Sequence, residues 1–523
     1  MRTLLILLAS LLASLGMSQS EPNYINMDIR NYQELRDACG EIITSINGID
    51  FDYLPAQNVS LQRVIDDAED GGIVHLPLGH YDLNVPIKIA KNLTLIGDAI
   101  VVLDAKRRSN ILEIGVNESN ISVEISNVIF VNGKGLSGAS ISSGARSLSV
   151  DKCGFFNNIA VIGASISQTG GELRIKNSSF RRNAADTGII DCQYCRLFME
   201  NDVLADNVAL SSRCVLNFTG VGMLNPENRC EIIDIYSKYK RGDDIDCLDL
   251  AMRNCTIEHN RGLRGRFGLS MVSAAGNSLI DNCDFRSNDA AQYAGALSVG
   301  GDAVIIANCT IEYNTAIKPG LTPGLWIMGS SNVLIDRCLI ADNHYLHLSP
   351  GSCSGGIFIA SDSNVTMHDC TISNNWAANG GGIYIQPGAI LIVDGGEILG
   401  NIARSSNRHR DGVGLGGGIY NDGTLILRDY AIIARNMADA GAGIYNTEGG
   451  RVRAEGNSYF IGNEAKDKGG AIFNNGSVAL ECATFADNEA FFGGSIYNLG
   501  DLTEADSRFC KNIGLRQNTS FSR

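Results

Sequence analysis

The chain has 523 residues, 44% hydrophobic and 19% charged, and this balance excludes a disordered polymer because enough apolar surface is present to build a core. A net charge of -15 excludes a general nucleic-acid-binding protein, which needs clustered Lys and Arg. The 59 glycines and 9 prolines are spread along the chain, which favours one long array over several linked domains.

Residues 1–20 have the pattern of a secretory signal peptide, with one arginine, an apolar run of about ten residues and then small residues. Later stretches stay short of the 18 apolar residues that a membrane helix requires. We therefore expect a secreted or cell-surface protein with no transmembrane segment after signal removal. Asn-x-Ser/Thr sequons make a glycoprotein a further expectation, although several follow from the repeat described below. They include Asn58, Asn92, Asn117, Asn217 and Asn364.

Residues 21–57 are predicted to form an N-terminal cap, and residues 58–523 a repeat array. Within the array, the stretch 61–105 begins with a short amphipathic helix, turns at Gly71 and Gly72, and continues as strands. A cap is needed because the open edge of a parallel sheet templates aggregation.

Two phrases alternate along the rest of the chain. One is rich in glycine, as in "GGGIYI" from Gly380, and the other is "CTIEHN" from Cys255 and its variants. The closing asparagine of the second phrase recurs every 24 to 35 residues from position 132 to 512, apart from one gap of 53 between Asn207 and Asn260. That gap is interpreted as two periods with one degenerate copy. Self-similarity at this period is typical of solenoids and propellers.

The repeat unit is predicted to consist of short strands. Apolar residues alternate with period two around each cysteine, as Leu148, Val150, Cys153 and Phe155 show, and the parity breaks just before the cysteine. This pattern indicates two strands with a bend between them. Helical repeats would show a 3.6-residue period, and propeller blades run to about 40 residues or more. Stacked coils of about 26 residues therefore predict a parallel β-helix of about 15 coils.

Three residue types receive roles in this β-helix. Glycine allows positive φ and close backbone approach at the corners. Asparagine tolerates the left-handed conformation and can form hydrogen bonds along a stack of identical residues. Cysteines in one column of the repeat are expected to be a buried row of thiols acting as apolar filler. That column contains Cys255, Cys283, Cys309, Cys338 and Cys370.

These motifs resemble two known families. The stretch 61–105 resembles the N-terminal segment of pectin lyase-like right-handed β-helix proteins. The motifs "GGAI" at Gly469–Ile472 and "FxxN" from Phe155, Phe460 and Phe485 resemble the repeats of polymorphic outer membrane proteins. The resemblance implies an all-β fold, a single-stranded right-handed parallel β-helix. It implies no single activity, because β-helices host lyases, hydrolases, epimerases and adhesins alike.

The phrase "RGDDIDCLD" at 241–249 is the strongest candidate for chemistry. It resembles the "GDD" context in which polygalacturonase-type hydrolases place an acid and a water-activating aspartate. Asp243, Asp244 and Asp246 are the candidate catalytic residues; the alternatives are a calcium site and a solvated acidic loop. The chain lacks the family's "GHG" phrase, and its "RIK", Arg174–Lys176, lies upstream of the aspartates.

Other candidate residues are cysteines, arginines and histidines. Five cysteines crowd the degenerate region and are candidates for disulfides in an exported protein, namely Cys192, Cys195, Cys214, Cys230 and Cys247. Arg408 and Arg410 are predicted contacts for an acidic glycan. His344, His347 and His368 are candidates for a shared face and a metal site, but exposed turn residues are the simpler interpretation.

Two functions are carried forward. The first is a non-catalytic adhesin or matrix component that binds a polysaccharide or a surface protein and needs no cofactor. The alternative is a carbohydrate-active enzyme, a polysaccharide lyase, glycoside hydrolase or epimerase, acting on an acidic polysaccharide, with calcium only in this case. The alternative predicts a groove beside the loop 226–249 into which carboxylates from more than one coil converge.

Overall fold

The computed structural model describes residues 36–516 except 38, 58–59, 117–118, 211–214, 221–230, 263–271, 291–294, 317–319, 321, 330, 346–352 and 405–412. This part of the chain is a β-solenoid whose coils pass through three parallel sheets. Sheet 1 has 16 strands, one per coil, so the predicted right-handed parallel β-helix of about 15 coils is confirmed. Arg408 and Arg410 lie outside the described residues.

Sheets 1 and 2 form two sides of the solenoid. The strands of sheet 1 are Gly79–Asp82, Val101–Asp104, Ile129–Val131, Gly154–Phe156, Ser179–Arg181, Val203–Ala205, Thr256–Glu258, Asp284–Arg286, Thr310–Glu312, Leu339–Ala341, Thr371–Ser373, Glu397–Leu399, Ile432–Ala434, Tyr459–Ile461, Thr484–Ala486 and Arg508–Cys510. Those of sheet 2 are Lys134–Ser137, Ile159–Ile162, Ala184–Thr187, Val208–Ala209, Arg261–Gly262, Asp289–Ala290, Thr315–Ala316, His344–Tyr345, Trp376–Ala377, Ile402–Ala403, Met437–Ala440, Glu464–Lys468, Glu489–Phe492 and Ile513–Arg516.

Sheet 3 consists of two columns, 3a and 3b, joined by the long strand Ile190–Glu200. The other strands of column 3a are Ile87–Ile89, Leu112–Ile114, Ile141–Ser143, Ile166–Thr169, Leu216–Gly220, Val272–Ala275, Leu297–Gly300, Leu325–Ile327, Ile357–Ile359, Ile383–Ile385, Ile419–Asn421, Ile444–Asn446, Ile472–Asn474 and Ile496–Asn498. Those of column 3b are Gly72–Leu76, Leu93–Gly97, Ser122–Ser126, Ser147–Asp151, Glu172–Lys176, Leu250–Arg253, Ser278–Asp281, Val304–Ala307, Asn332–Asp336, Asn364–His368, Ile390–Asp394, Thr424–Arg428, Arg451–Ala454, Ser477–Glu481 and Asp501–Ala505.

A ladder of buried asparagines closes the corner between sheets 1 and 2. The backbone N–H and the Nδ2 of Asn343 both donate to Oδ1 of Asn375, at 3.1 and 3.0 Å, and Nδ2 also donates to the carbonyl of Ile311. This confirms the predicted stacking. The same asparagine pairing connects Asn158, Asn183, Asn207, Asn260, Asn288, Asn314, Asn343, Asn375, Asn401, Asn436, Asn463, Asn488 and Asn512.

Asn132, the first asparagine of the series, is left-handed as predicted, with a φ of 53°; from Asn158 onward the left-handed residue is the one before the ladder asparagine, so there the prediction was wrong. Arg182 and Asp206, which precede Asn183 and Asn207, have φ of 55° and 57°. The left-handed residue turns the chain, and the asparagine that follows is then free to direct its amide into the corner.

The glycine phrase forms the corner that leads into column 3a. Gly380 has a φ of 59°, and a Cβ atom on Gly381 would lie 2.5 Å from the carbonyl oxygen of Gly417 in the next coil. Both predicted uses of glycine, positive φ and close approach, are therefore confirmed. The following Ile383 is buried inside, and Tyr384 faces outward.

The 53-residue gap in the repeat is one coil with an insertion, which corrects the interpretation as two periods. Strand Val203–Ala205 pairs directly with Thr256–Glu258, and Asn207 Nδ2 donates to Asn260 Oδ1 at 3.0 Å. The insertion contains helix α2, Ile232–Arg241, which ends at the left-handed Gly242. Spacing alone cannot tell an insertion from a degenerate copy.

The N-terminal part packs on both the end and the side of the solenoid. Helix α1, Leu61–Asp67, buries Leu61 and Ile65 against the first coils. The antiparallel pair Ser45–Ile46 and Ile49–Asp50 and the 3-10 helix Phe51–Tyr53 precede it. The backbone N–H of Ile43 donates to Asn132 Oδ1 at 3.1 Å, so this segment runs along the side. A cap made of the whole range 21–57 remains a prediction.

The interior is apolar and contains the predicted row of thiols. The five column cysteines are free and buried, and the backbone N–H of Cys283 donates to Cys309 Sγ at 3.4 Å. Burial raises the pKa of Cys153, which stands in the same column, to about 12. Among the described helices, none is long and apolar enough to cross a membrane.

Asp202 replaces cysteine in this column between Ser178 and Cys255. Its side chain is buried, and its carboxylate accepts the backbone N–H groups of Ser178 and Glu200 at 2.8 and 3.1 Å. Burial nevertheless raises the pKa of Asp202 to about 7. A carboxyl in a column of neutral groups thus remains partly protonated at neutral pH.

Replacing one ladder asparagine should destabilise the solenoid. In Asn375→Ala, two donors of Asn343 lose their acceptor inside the protein, and the expected loss of unfolding free energy is on the order of 2–5 kcal/mol. The urea midpoint and hydrogen exchange of the adjacent coils measure it. In the control Asn364→Ala, an exposed amide that donates to Asn332 is removed, and the loss should stay below about 1 kcal/mol. Equal losses in the two variants would contradict the role of the ladder.

Asp202→Ser should change the pH dependence of stability. The folded protein holds the Asp202 proton up to about pH 7, but the unfolded chain only to about pH 4, so the contribution of this group to stability is present below about pH 4 and lost as the pH rises to about 7. Across that range the unfolding free energy of the variant should rise by on the order of a few kcal/mol relative to that of the parent protein. Urea unfolding at several pH values measures this gain. The control Asp501→Ser, at an exposed position paired with Ser477, should follow the parent.

Candidate functional site

A groove of about 570 Å³ lies on the outer face of column 3b, beside the inserted loop. Its floor comes from three successive strands, Glu172–Lys176, Ile190–Glu200 and Leu250–Arg253. Side chains of a strand alternate between the two faces, so every second residue of these strands points outward into the groove. The wall is the loop 242–246 that follows helix α2.

The groove floor carries basic and acidic side chains around one aromatic ring. Glu172 lies beside Arg196, and Lys176 beside Glu200, whose carboxylate is 2.8 Å from the lysine Nζ. The guanidinium of Arg174 lies 4.4 Å from the centroid of the Phe198 ring. The sequence analysis noted Arg174 and Lys176 only as an upstream "RIK" phrase. The other outward positions were missed because the phrases "ELRIK" and "CRLFME" show the periodicity of an ordinary half-buried strand.

Two arginines of the floor have no ion-pair partner among the described residues. Within the described part of the chain, neither Arg196 nor Arg253 has a carboxylate within 4 Å. Arg253 is exposed, and Arg196 is half-buried. A guanidinium carries five N–H donors in a planar fork that fits a carboxylate, so both side chains are available to an anionic ligand.

The wall contributes the three predicted aspartates. Asp243, Asp244 and Asp246 all line the groove and all are exposed. Asp243 Oδ2 lies 2.7 Å from Nε of Arg241 at the end of α2, which leaves Asp244 and Asp246 facing the groove without a described ion pair. The groove therefore combines aspartates of one loop with Glu172 and Glu200 of two other coils.

The upstream position of "RIK" is no obstacle to its sharing this groove. Arg174 and Lys176 line the same groove as the aspartates, although about 70 residues of chain separate them. In a solenoid, neighbours in space are residues one coil apart, and an insertion can fold back onto earlier coils. The order of motifs along the chain thus carries little information about their contacts.

Three of the five disulfide candidates are disulfide-bonded in the structure. Cys192 and Cys195 form a disulfide at a bulge of strand Ile190–Glu200, just before the groove residues of that strand. Cys247 is also disulfide-bonded, which fixes the end of the wall loop. Cys214 and Cys230 lie outside the described residues.

The histidines do not form a common site. His344 lies in sheet 2, whereas His368 lies in column 3b with its Nδ1 3.6 Å from Asp394 Oδ2, so the expectation of one shared face was wrong for this pair. His347 lies outside the described residues. In the described part of the chain, no three His, Cys, Asp or Glu side chains are grouped to hold a metal, and this includes the three aspartates of the wall.

Comparison with known proteins identifies the architecture. The family profile described as right handed beta helix region matches residues 229–490, and the profile described as rhamnogalacturonase A/epimerase, pectate lyase-like, matches residues 48–211. Among solved structures, the A-module of the mannuronan C-5 epimerase AlgE6 of Azotobacter vinelandii is similar, with 14% identity and a TM-score of 0.23, covering 86% of this chain and 94% of that one. No curated protein sequence matches significantly. Because the first profile covers half of the chain, the protein belongs to the right-handed β-helix family.

Proposed function

We propose that this protein binds an acidic polysaccharide in the groove of column 3b. The observation that carries the proposal is that Arg196 and Arg253 have no ion-pair partner in the described part of the chain and share a floor with Arg174 and Lys176. A carboxylate bound to an arginine fork forms two parallel charge-assisted hydrogen bonds. A polymer that repeats a carboxylate on each sugar offers such groups at several positions of the floor.

The remaining groups of the groove suit the neutral part of a sugar. Glu200, Asp244 and Asp246 accept hydrogen bonds from hydroxyl groups. Phe198 adds apolar surface for the C–H groups of a sugar ring. The region matched by the pectate lyase-like profile includes the first two floor strands, which supports a uronate-containing polymer as the ligand class.

In this proposal the protein acts at the cell surface or outside the cell as a non-catalytic β-helix, in an adhesin or matrix role. The "GGAI" and "FxxN" phrases support that role through their resemblance to polymorphic outer membrane protein repeats. Neither matching profile describes an adhesin or those repeats, so the groove carries the proposal. The partner is a polysaccharide, and binding needs no cofactor.

A carbohydrate-active enzyme is the second candidate, because carboxylates from three coils meet in one groove, as that hypothesis predicts. Asp244 and Asp246 would then hold or move a proton at the glycosidic oxygen or the sugar carbon. The exposure of all three aspartates weakens this candidate, since an acid catalyst for a glycosidic bond needs a desolvated carboxyl. Calcium would have to be completed by carboxylates of the ligand, because the described side chains form no metal group of three.

The arginines can be tested by binding. Arg196→Gln and Arg253→Gln should each weaken the binding of an oligogalacturonate by about tenfold or more, because each removes a charge-assisted contact. Calorimetry at low and high salt measures the affinity, and the salt dependence should fall in both variants. Arg508→Gln, at an exposed position on sheet 1, is the matched control and should bind like the parent protein. Unchanged affinity in both groove variants would overturn the proposed site.

The aspartates can be tested by turnover. We expect the parent protein to bind the oligogalacturonate without releasing new reducing or unsaturated ends, with or without calcium, because its carboxylates are exposed. The same assay on Asp244→Asn/Asp246→Asn provides the comparison. Products that appear with the parent and vanish with the double variant would establish the enzyme in place of the binding protein.

A further inference from the structure

Helix α2 covers the outer face of column 3b immediately beyond the groove. Ile235 of the helix packs with Leu279, Ile305 and Leu334, which come from three successive strands of the column, and all four side chains are buried. Outward positions of a solenoid strand normally face water, so these apolar residues exist to receive the helix. The groove thus has a closed end at the coil of Leu250–Arg253, where Leu248 and Ile245 join the same cluster.

Polar contacts hold the helix in place. Lys240 Nζ lies 2.7 Å from Oδ2 of Asp336, a carboxylate only 5% exposed, and this hydrogen bond raises the pKa of Lys240. Tyr239 donates its hydroxyl to Asp281 Oδ1 at 2.9 Å, and Asn308 donates to the same hydroxyl. The disulfide at Cys247 follows the helix. The helix is therefore held both by its apolar contacts with column 3b and at its C-terminal end.

At the opposite end of the groove, the floor continues into further strands of column 3b. The two strands before the floor, Ser122–Ser126 and Ser147–Asp151, continue the same register toward the N-terminus. Four of their six outward residues are serines and two are carboxylates, Glu124 and Asp151; Ser149 and Glu124 stand in the column of Arg174. A serine track that also includes these two carboxylates therefore leads along the solenoid axis into the charged groove.

We propose that α2 and the loop 242–246 form an end wall, so that the groove binds the terminus of an acidic polysaccharide rather than its interior. This inference rests on the proposed binding function. A chain lying along the serine track meets the wall after the floor strands and cannot continue, because the helix covers the next three strands of the column.

The chemistry of the wall agrees with a chain terminus. A terminal sugar carries a free hydroxyl at the position where an internal sugar carries the glycosidic bond. Asp244 and Asp246 are exposed carboxylates at the closed end, and a carboxylate accepts hydrogen bonds and rejects an ether oxygen that has no proton to donate. The wall thus distinguishes an end from an interior by hydrogen bonding as well as by steric exclusion.

Stoichiometry with oligogalacturonates of increasing length tests the wall. We expect one protein per chain in calorimetry and sedimentation for short and long oligomers alike, because each chain has one end of the bound kind. A number of bound proteins that rises with chain length would overturn the end wall while leaving the binding function intact. No binding of any oligomer would overturn both.

End-labelled ligands and one pair of variants give independent readouts. A bulky fluorophore on the bound end of the oligomer should abolish binding, whereas the same fluorophore on the other end should leave binding unchanged. A site that binds the interior of the chain would bind the two labelled ligands equally. Ser149→Trp should weaken the binding of long oligomers about tenfold or more relative to that of short ones, because the tryptophan side chain blocks the track. Ala479→Trp, in the same column of outward residues but beyond α2, is the matched control and should leave both affinities unchanged. Equal effects of the two variants would overturn the axial path.

Discussion

The buried asparagine ladder is the interaction on which the rest of the structure depends. Each rung joins a coil to the next through two hydrogen bonds to one carbonyl oxygen, as Asn343 does to Asn375, in a corner that water does not reach. A buried amide left unpaired costs more than a pair contributes, so a shift of one residue in any coil would break rungs on both sides. The ladder therefore fixes the register of the coils from Asn158 to Asn512 and, with it, which of their side chains face outward.

The candidate site lies where this regularity is interrupted. The coil between Asn207 and Asn260 keeps its rung, yet carries an insertion that leaves the solenoid and returns to it. Because the ladder and the sheet pairing on either side are intact, the insertion need not support the fold and can lie across earlier and later coils. Helix α2 covers one stretch of column 3b and its loop walls the next, so one insertion creates both the groove and its limit.

Charged groups are treated differently inside the solenoid and on its surface. Inside, burial disfavours charge: it raises the pKa of the Cys153 thiol to about 12 and that of Asp202 to about 7. Outside, basic and acidic side chains alternate on the groove floor, as in Lys176, Glu200 and Arg253, at the spacing of the coils, about 4.8 Å. A net charge of -15 thus coexists with a local floor on which Arg196 and Arg253 remain available, because clustering along one column and not total charge decides what a surface attracts.

The sequence by itself determined the period, the strands, the glycine corners, the asparagine stack and the buried thiols, because each depends on local periodicity or on identical residues one coil apart. It also indicated the acidic loop at Asp243, Asp244 and Asp246. Only the tertiary structure decided that the 53-residue gap is an inserted helix, that the left-handed residue precedes the asparagine, and that "RIK" shares the groove with the aspartates. Arg196, Phe198 and Arg253 could not be selected in advance, since an outward residue of one coil resembles that of any other until the chain folding over it is known.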